Sequence, residues 1–128
     1  GKVFLAPEHQ KMNGILNIDG SIEGIGLIKK PFKIEIENGL IKNIIGDSAE
    51  ANEFKKLLNK TNDDGKTIGE FGIGTNYKAI LSGEYYEDEI TTGTAYIGIG
   101  RNIHIGGRID VPFRVGCVFN KPNIFLSF

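Results

Sequence analysis

Glu70 is the side chain in this sequence that most invites a chemical reading. It stands in TIGEFGIGTN, residues 67–76, among glycine, isoleucine and phenylalanine. A carboxylate in such company is a metal ligand, a general base, or a structural acid that holds nearby groups. Partners for the first two roles are scarce. Metal centres need convergent His, Cys or carboxylate donors. The two histidines, His9 and His104, show no HxxxH, HxH or HxD spacing and read as surface-loop imidazoles. Ser21, Ser48, Ser82 and Ser127 have no neighbouring His, and no G-x-S-x-G elbow occurs. GIGTN and GIGRN lack the Gly-Lys-Ser/Thr ending of a phosphate loop, and their glycines read as bulges or turns. The run GEYYEDE, residues 83–89, offers Glu84, Glu87, Asp88 and Glu89 to a cation and Tyr85 and Tyr86 to a stacked ligand. Such a run reads more readily as a solvated loop. Cys117, the one cysteine, lies in VGCVF and reads as a small buried hydrophobe. One thiol makes neither an internal disulfide nor a thiolate zinc cluster.

These residues depend on elements that the hydrophobic pattern sketches. Glycine accounts for 18 of 128 residues and punctuates short apolar runs, which predicts many short strands and tight turns. Strands are expected at 3–6, stopped by Pro7, and at 14–20. Across 30–46, Phe32, Ile34 and Ile36 alternate with Lys33, Glu35 and Glu37, and Asn38-Gly39 separates that run from LIKNII. Asn-Gly between alternating runs specifies a hairpin, because a type I′ turn needs positive φ at both central residues. Residues 48–61 differ: no Gly or Pro, with Ala51, Phe54, Leu57 and Leu58 at helical spacing. Ser48 suits the N-cap, and Lys55, Lys56 and Lys60 suit the C-terminal end of the dipole. Further strands are expected near 68–73, 78–81, 94–99, 113–119 and 123–127. The fold class is mostly β (α+β): a single domain over 1–128, its sheet curled or barrel-like, covered by one amphipathic helix.

Composition narrows the function classes. Hydrophobic residues are 40% and charged residues 24%, a normal globular balance, and the net charge is −1 with no basic arm or acidic tail. Neither nucleic acid nor a membrane surface is an expected partner. No apolar run reaches the ~18 residues of a membrane span. The chain reads as cytoplasmic, and its opening at GKVFLAP suggests a domain cut from a longer protein or a stand-alone descendant of one.

The order of phrases brings a family into view. GKVFLAPEHQKMNGILNIDGSI, IGEFGIGTNYKAILSGEYYEDE, TGTAYIGIG, GGRIDVPFR and NKPNI resemble the C-terminal domain of leucyl aminopeptidases of the thermophilic metallopeptidase type, the aminopeptidase T group. The resemblance covers nearly the whole chain. It implies a β domain that, in complete members, follows an N-terminal α/β domain and removes N-terminal residues from peptides with two metal ions. The family's opening phrase G-E-V-F-x-A-P supplies a Glu ligand, and this chain has Lys2 there. The glutamate of E-F-G-I-G-T-N is retained as Glu70. The His of G-T-x-H-I-A is replaced by Tyr96. The His and Asp of H-x-D-G are replaced by Arg114 and Gly116. One of five ligands is thus kept.

Two dications beside Lys2 and Arg114 would meet like charge, a repulsion of roughly 4 kcal/mol at ~4 Å and an effective dielectric of 20. The resemblance therefore implies a retired site, with no metal or other cofactor and with Glu70 paired to Lys2 or Arg114. A non-catalytic module that binds a peptide or partner protein is the expected function. Lys2 and Arg114 would take an acidic residue or C-terminal carboxylate, and Tyr96 would pack on the ligand. By analogy, such a module would suit precursor-peptide recognition in ribosomal-peptide biosynthesis. Two alternatives stand beside it: the C-terminal fragment of a metal-dependent leucyl aminopeptidase, and a dimerisation or scaffold domain that forms a homodimer.

Overall fold

The computed structural model describes residues 2–75, 82–85, 89 and 94–120. The strands expected at 78–81 and 123–127 lie outside the described residues, as do Tyr86, Glu87 and Asp88. Nine strands and one α-helix are described: β1 Lys2–Leu5, β2 Gly14–Ile18, β3 Ser21–Ile22, β4 Gly26–Leu27, β5 Phe32–Glu37, β6 Leu40–Ile45, α1 Ala49–Leu58, β7 Ile68–Gly74, β8 Thr94–Gly100 and β9 Arg114–Asn120. The protein is mostly β with one helix. Its strands form two open antiparallel sheets: a six-stranded one in the order β1-β7-β8-β9-β3-β4, and a three-stranded one in the order β2-β5-β6. Neither closes into a barrel.

The small sheet follows from local sequence. Asn38 and Gly39 both adopt positive φ, 52° and 79°, which turns β5 into β6. Along β5 the pleat buries Phe32, Ile34 and Ile36 and leaves Lys33 and Glu37 exposed. In α1, the Ser48 hydroxyl accepts from the Ala51 N–H at 3.1 Å, and Ala51, Phe54 and Leu58 form the buried face. The helix covers the small sheet through Phe54, whose ring lies 5.8 Å from that of Phe32.

The main core lies on one face of the large sheet. Ile68 of β7, Ala95, Ile97 and Ile99 of β8, and Val115, Cys117 and Phe119 of β9 join Ile18, Ile22, Ile34 and Ile36 there. Strand β8 is nevertheless buried along its whole length, on both faces. Its second face packs against a smaller cluster of Tyr85, Tyr96 and Val118, and on that face stand the residues singled out from the sequence.

Candidate functional site

A β-bulge puts Glu70 on this second face. Ile68 pairs with Ile99, but Glu70 pairs with the very next residue of β8 in reverse order, Gly98, so Gly69 is an extra residue in β7. Without the bulge, period-2 alternation would point Ile68 and Glu70 to the same side. With it, Ile68 stays in the core and Glu70 turns to the opposite face. The bulge is held from outside. The Asn102 side chain donates to the Gly69 carbonyl at 2.9 Å and accepts from the Ile109 N–H at 2.8 Å. A Cβ on Gly69 would come within 2.3 Å of the Gly100 carbonyl oxygen, so no larger residue fits.

The floor around Glu70 is made of glycine. The row Glu70–Gly98–Gly116 crosses three strands, and the next row is Gly72–Tyr96–Val118. Large side chains lie flat on these gaps. A Cβ on Gly72 would meet the Tyr96 ring at 2.3 Å, one on Gly116 would meet the Tyr85 ring at 2.0 Å, and one on Gly98 would meet Arg114 Nη2 at 2.9 Å.

On this floor six side chains form a ring. Arg114 Nη2 donates to Glu70 Oε1 at 2.8 Å, and the Tyr96 hydroxyl donates to Glu70 Oε2 at 2.6 Å. Lys2 Nζ donates to Glu89 Oε1 at 2.6 Å and lies 5.2 Å from the centre of the Tyr96 ring. Tyr85 is buried within electrostatic reach of both Glu89 and Arg114. Two positive and two negative charges balance within it. Burial alone would raise the pKa of Glu70. The hydrogen bonds from Tyr96 and Arg114, with the positive charges of Arg114 and Lys2, outweigh it and hold the carboxyl below its ordinary 4.5. Burial and the neighbouring carboxylates push both tyrosine hydroxyls well above their ordinary range. For Arg114, burial works against the charged form, but the bond and charge of Glu70 together with the interaction with Tyr85 outweigh it and raise its pKa. Glu70 is thereby held in its ionised form within a cluster of balanced formal charge.

The donor set does not fit the two-metal centre that the resemblance implies. Both oxygens of Glu70 are taken, one by a guanidinium and one by a hydroxyl. Among the described residues no three His, Cys, Asp or Glu side chains stand close enough to share a metal ion. A dication beside Glu70 would have to displace Arg114 and tolerate Lys2.

The four residues singled out from the sequence, Lys2, Glu70, Tyr96 and Arg114, thus meet in one place. Of the two cations, Arg114 takes Glu70, while Lys2 takes Glu89. Three participants were missed. Glu89 and Tyr85 belong to the run read as a solvated loop, yet both are buried, whereas Glu84 is exposed. Asn102 of GIGRN carries no expectation from the sequence, where only the glycines are read as bulges or turns. No local signal marks Glu89, Tyr85 or Asn102. Cys117 is fully buried, and burial pushes its thiol pKa up. His9 is half-buried in the loop after β1, and His104 is exposed in a short 3-10 turn at Ile103–Ile105. Beside the ring lies a cavity of about 300 Å³, lined by Lys2, Phe4, Glu70, Tyr85, Glu89, His104, Ile105 and Arg114. Among the described residues no helix is long and apolar enough to cross a membrane.

No family model and no curated protein matches the chain. Among solved structures it is similar to 2,5-dihydroxypyridine dioxygenase from Pseudomonas putida KT2440, with 18% identity and a TM-score of 0.77 over 90% of this chain. At that identity the likeness is one of fold. The chain spans 37% of the length of that protein, so the same fold occurs there within a longer polypeptide.

Proposed function

We propose that this chain is a non-catalytic, cytoplasmic module that binds a peptide or partner protein, built on a domain of the metallo-aminopeptidase type. The observation that carries this reading is the Glu70–Arg114 pair. The one carboxylate kept from the family's ligand set is saturated by a guanidinium and a hydroxyl that stand where two further ligands would be. What is left is a glycine-floored face, an adjacent cavity and, among the described strands, a sheet edge at β1, features suited to holding an extended chain. Recognition of a precursor peptide in a biosynthetic pathway is one use that such a face would serve.

Metal analysis of the purified protein tests this, alone and after soaking with zinc and manganese. The expected result is no stoichiometric metal and no metal-dependent release of amino acids from peptides. Bound metal in a fixed ratio, or such release, would defeat the reading.

A second reading is favoured by one observation, the 37% coverage of the similar solved structure. The chain would then be the C-terminal part of a longer aminopeptidase-like protein. The mass of the native protein isolated from its source separates the two readings.

A further inference from the structure

We infer that the cavity beside Lys2 and Arg114 is a receptor for the free C-terminal carboxylate of a peptide that ends in an apolar residue. This rests on the peptide-binding reading and narrows it to one place and to one end of the ligand.

The two ion pairs beside this cavity are unequally covered. The side chains of Glu70 and Glu89 are 4% and 6% exposed, while those of Arg114 and Lys2, which hold them, are 24% and 29% exposed. The carboxylates are the covered members of both pairs, and the cations are the accessible ones. Formal charge balances within the cluster, yet what solvent meets there is mainly N–H. Neither cation is used up by its partner. Lys2 Nζ donates to Glu89 Oε1 and Arg114 Nη2 donates to Glu70 Oε1, and an ammonium and a guanidinium each carry further donors. Both side chains line the same cavity of about 300 Å³, and so does the exposed His104. An incoming carboxylate can bond the spare donors without breaking either pair, whereas an incoming ammonium finds both carboxylates covered.

The apolar part of the wall selects among carboxylates. Phe4 and Ile105 line the cavity too. Phe4 is 46% exposed, and its ring centre lies 5.3 Å from Lys2 Nζ. A C-terminal residue carries its carboxylate and its side chain on one Cα. With the carboxylate on Lys2, an apolar side chain is therefore within reach of the Phe4 ring and leaves water there. An internal Asp or Glu has no apolar branch on the carbon that bears its carboxyl group, and its stem leads back to backbone amides that Phe4 and Ile105 cannot satisfy. Tyr96, expected from the sequence to pack on the ligand, takes no part: it is fully buried, with its hydroxyl on Glu70.

The test is affinity selection of a random hexapeptide pool on the immobilised full chain, run once with free C-termini and once with amidated ones, and read by mass spectrometry. Enrichment from the free-acid pool of peptides with an apolar last residue is expected. A selected peptide is expected to bind about tenfold or more tightly than its own amide, equivalent to about 1.4 kcal/mol, and to shift the side-chain N–H resonances of Arg114 in isotope-labelled protein. His104→Glu and Phe4→Ala, both at exposed positions outside the two ion pairs and checked for folding by circular dichroism, are each expected to weaken that binding several-fold. Equal binding of the acid and amide forms would overturn the carboxylate site while leaving peptide binding intact. Enrichment of amidated peptides for internal Asp or Glu would assign Lys2 and Arg114 to an acidic side chain and overturn the C-terminal reading. Acid-dependent binding that neither variant weakens would overturn the location. Absence of any enriched peptide from both pools would overturn the peptide-binding reading itself.

Discussion

Arg114 and Glu70 sit two strands apart, on β9 and β7, and their side chains meet over Gly98 of the strand between them. Their 2.8 Å contact joins a carboxylate whose side chain is 4% exposed to a guanidinium 24% exposed. Removing one partner of such a buried pair strands the other. Glu70→Gln is therefore expected to destabilise the fold by about 3 kcal/mol or more, and adding Arg114→Met should restore part of that loss. Urea denaturation checks it, with a lowered midpoint at an unchanged slope. A Glu70→Gln protein as stable as the parent would show that the ring contributes nothing net.

The same pair sets an acid limit. The Glu70 carboxyl has its pKa below 4.5 when folded, through the bonds and charges that outweigh its burial, and returns toward 4.5 when unfolded. A group depressed in this way binds more protons in the unfolded chain, so its contribution is complete above pH 4.5 and fades as pH falls through the folded value. Stability measured between neutral pH and pH 3 should drop across that window. Glu70→Gln should flatten the drop, and Tyr96→Phe, which removes one donor to the carboxylate and so raises its folded pKa toward 4.5, should make the drop smaller and end it at higher pH.

Much of the frame was legible before the structure. Asn38-Gly39 and the alternation from Phe32 to Glu37 specify a hairpin locally, and Ser48 with the spacing of Ala51, Phe54 and Leu58 specifies a helix locally. The two-residue strands β3 and β4 were missed because so short a segment has no period to read. The site was legible only in part. The resemblance pointed to Lys2, Glu70, Tyr96 and Arg114. Their meeting depends on a register across four strands and on a bulge at Gly69 that local pattern does not reveal. Glu89 and Tyr85 were misread for a related reason. Tyr85 is buried over Gly116 and Glu89 against Lys2, both of which lie elsewhere in the chain.

Asn102 should behave as a positioning residue for that bulge. Its side chain bonds the Gly69 carbonyl and the Ile109 N–H inside the protein. Asn102→Ala leaves both backbone groups buried and unpaired, at about 1–3 kcal/mol each. A purely structural loss would lower stability and leave the ring intact. Release of the bulge would also shift the amide and side-chain resonances of Glu70 and Arg114, and this is the expected outcome.

The glycine floor is a steric requirement that substitution can expose. At Gly72 an added Cβ meets the Tyr96 ring at 2.3–2.6 Å, and Tyr96 is fully buried, so the ring has nowhere to move. Gly72→Ala should cost roughly 1–3 kcal/mol as overpacking. Shortening the partner tests the cause. With Tyr96→Leu already in place, the ring and its hydroxyl are gone, and Gly72→Ala should cost far less than in the parent. A double-mutant cycle by denaturant unfolding gives the coupling directly. Equal costs in both backgrounds would mean that backbone freedom at Gly72, and not the Tyr96 ring, is what demands a glycine there.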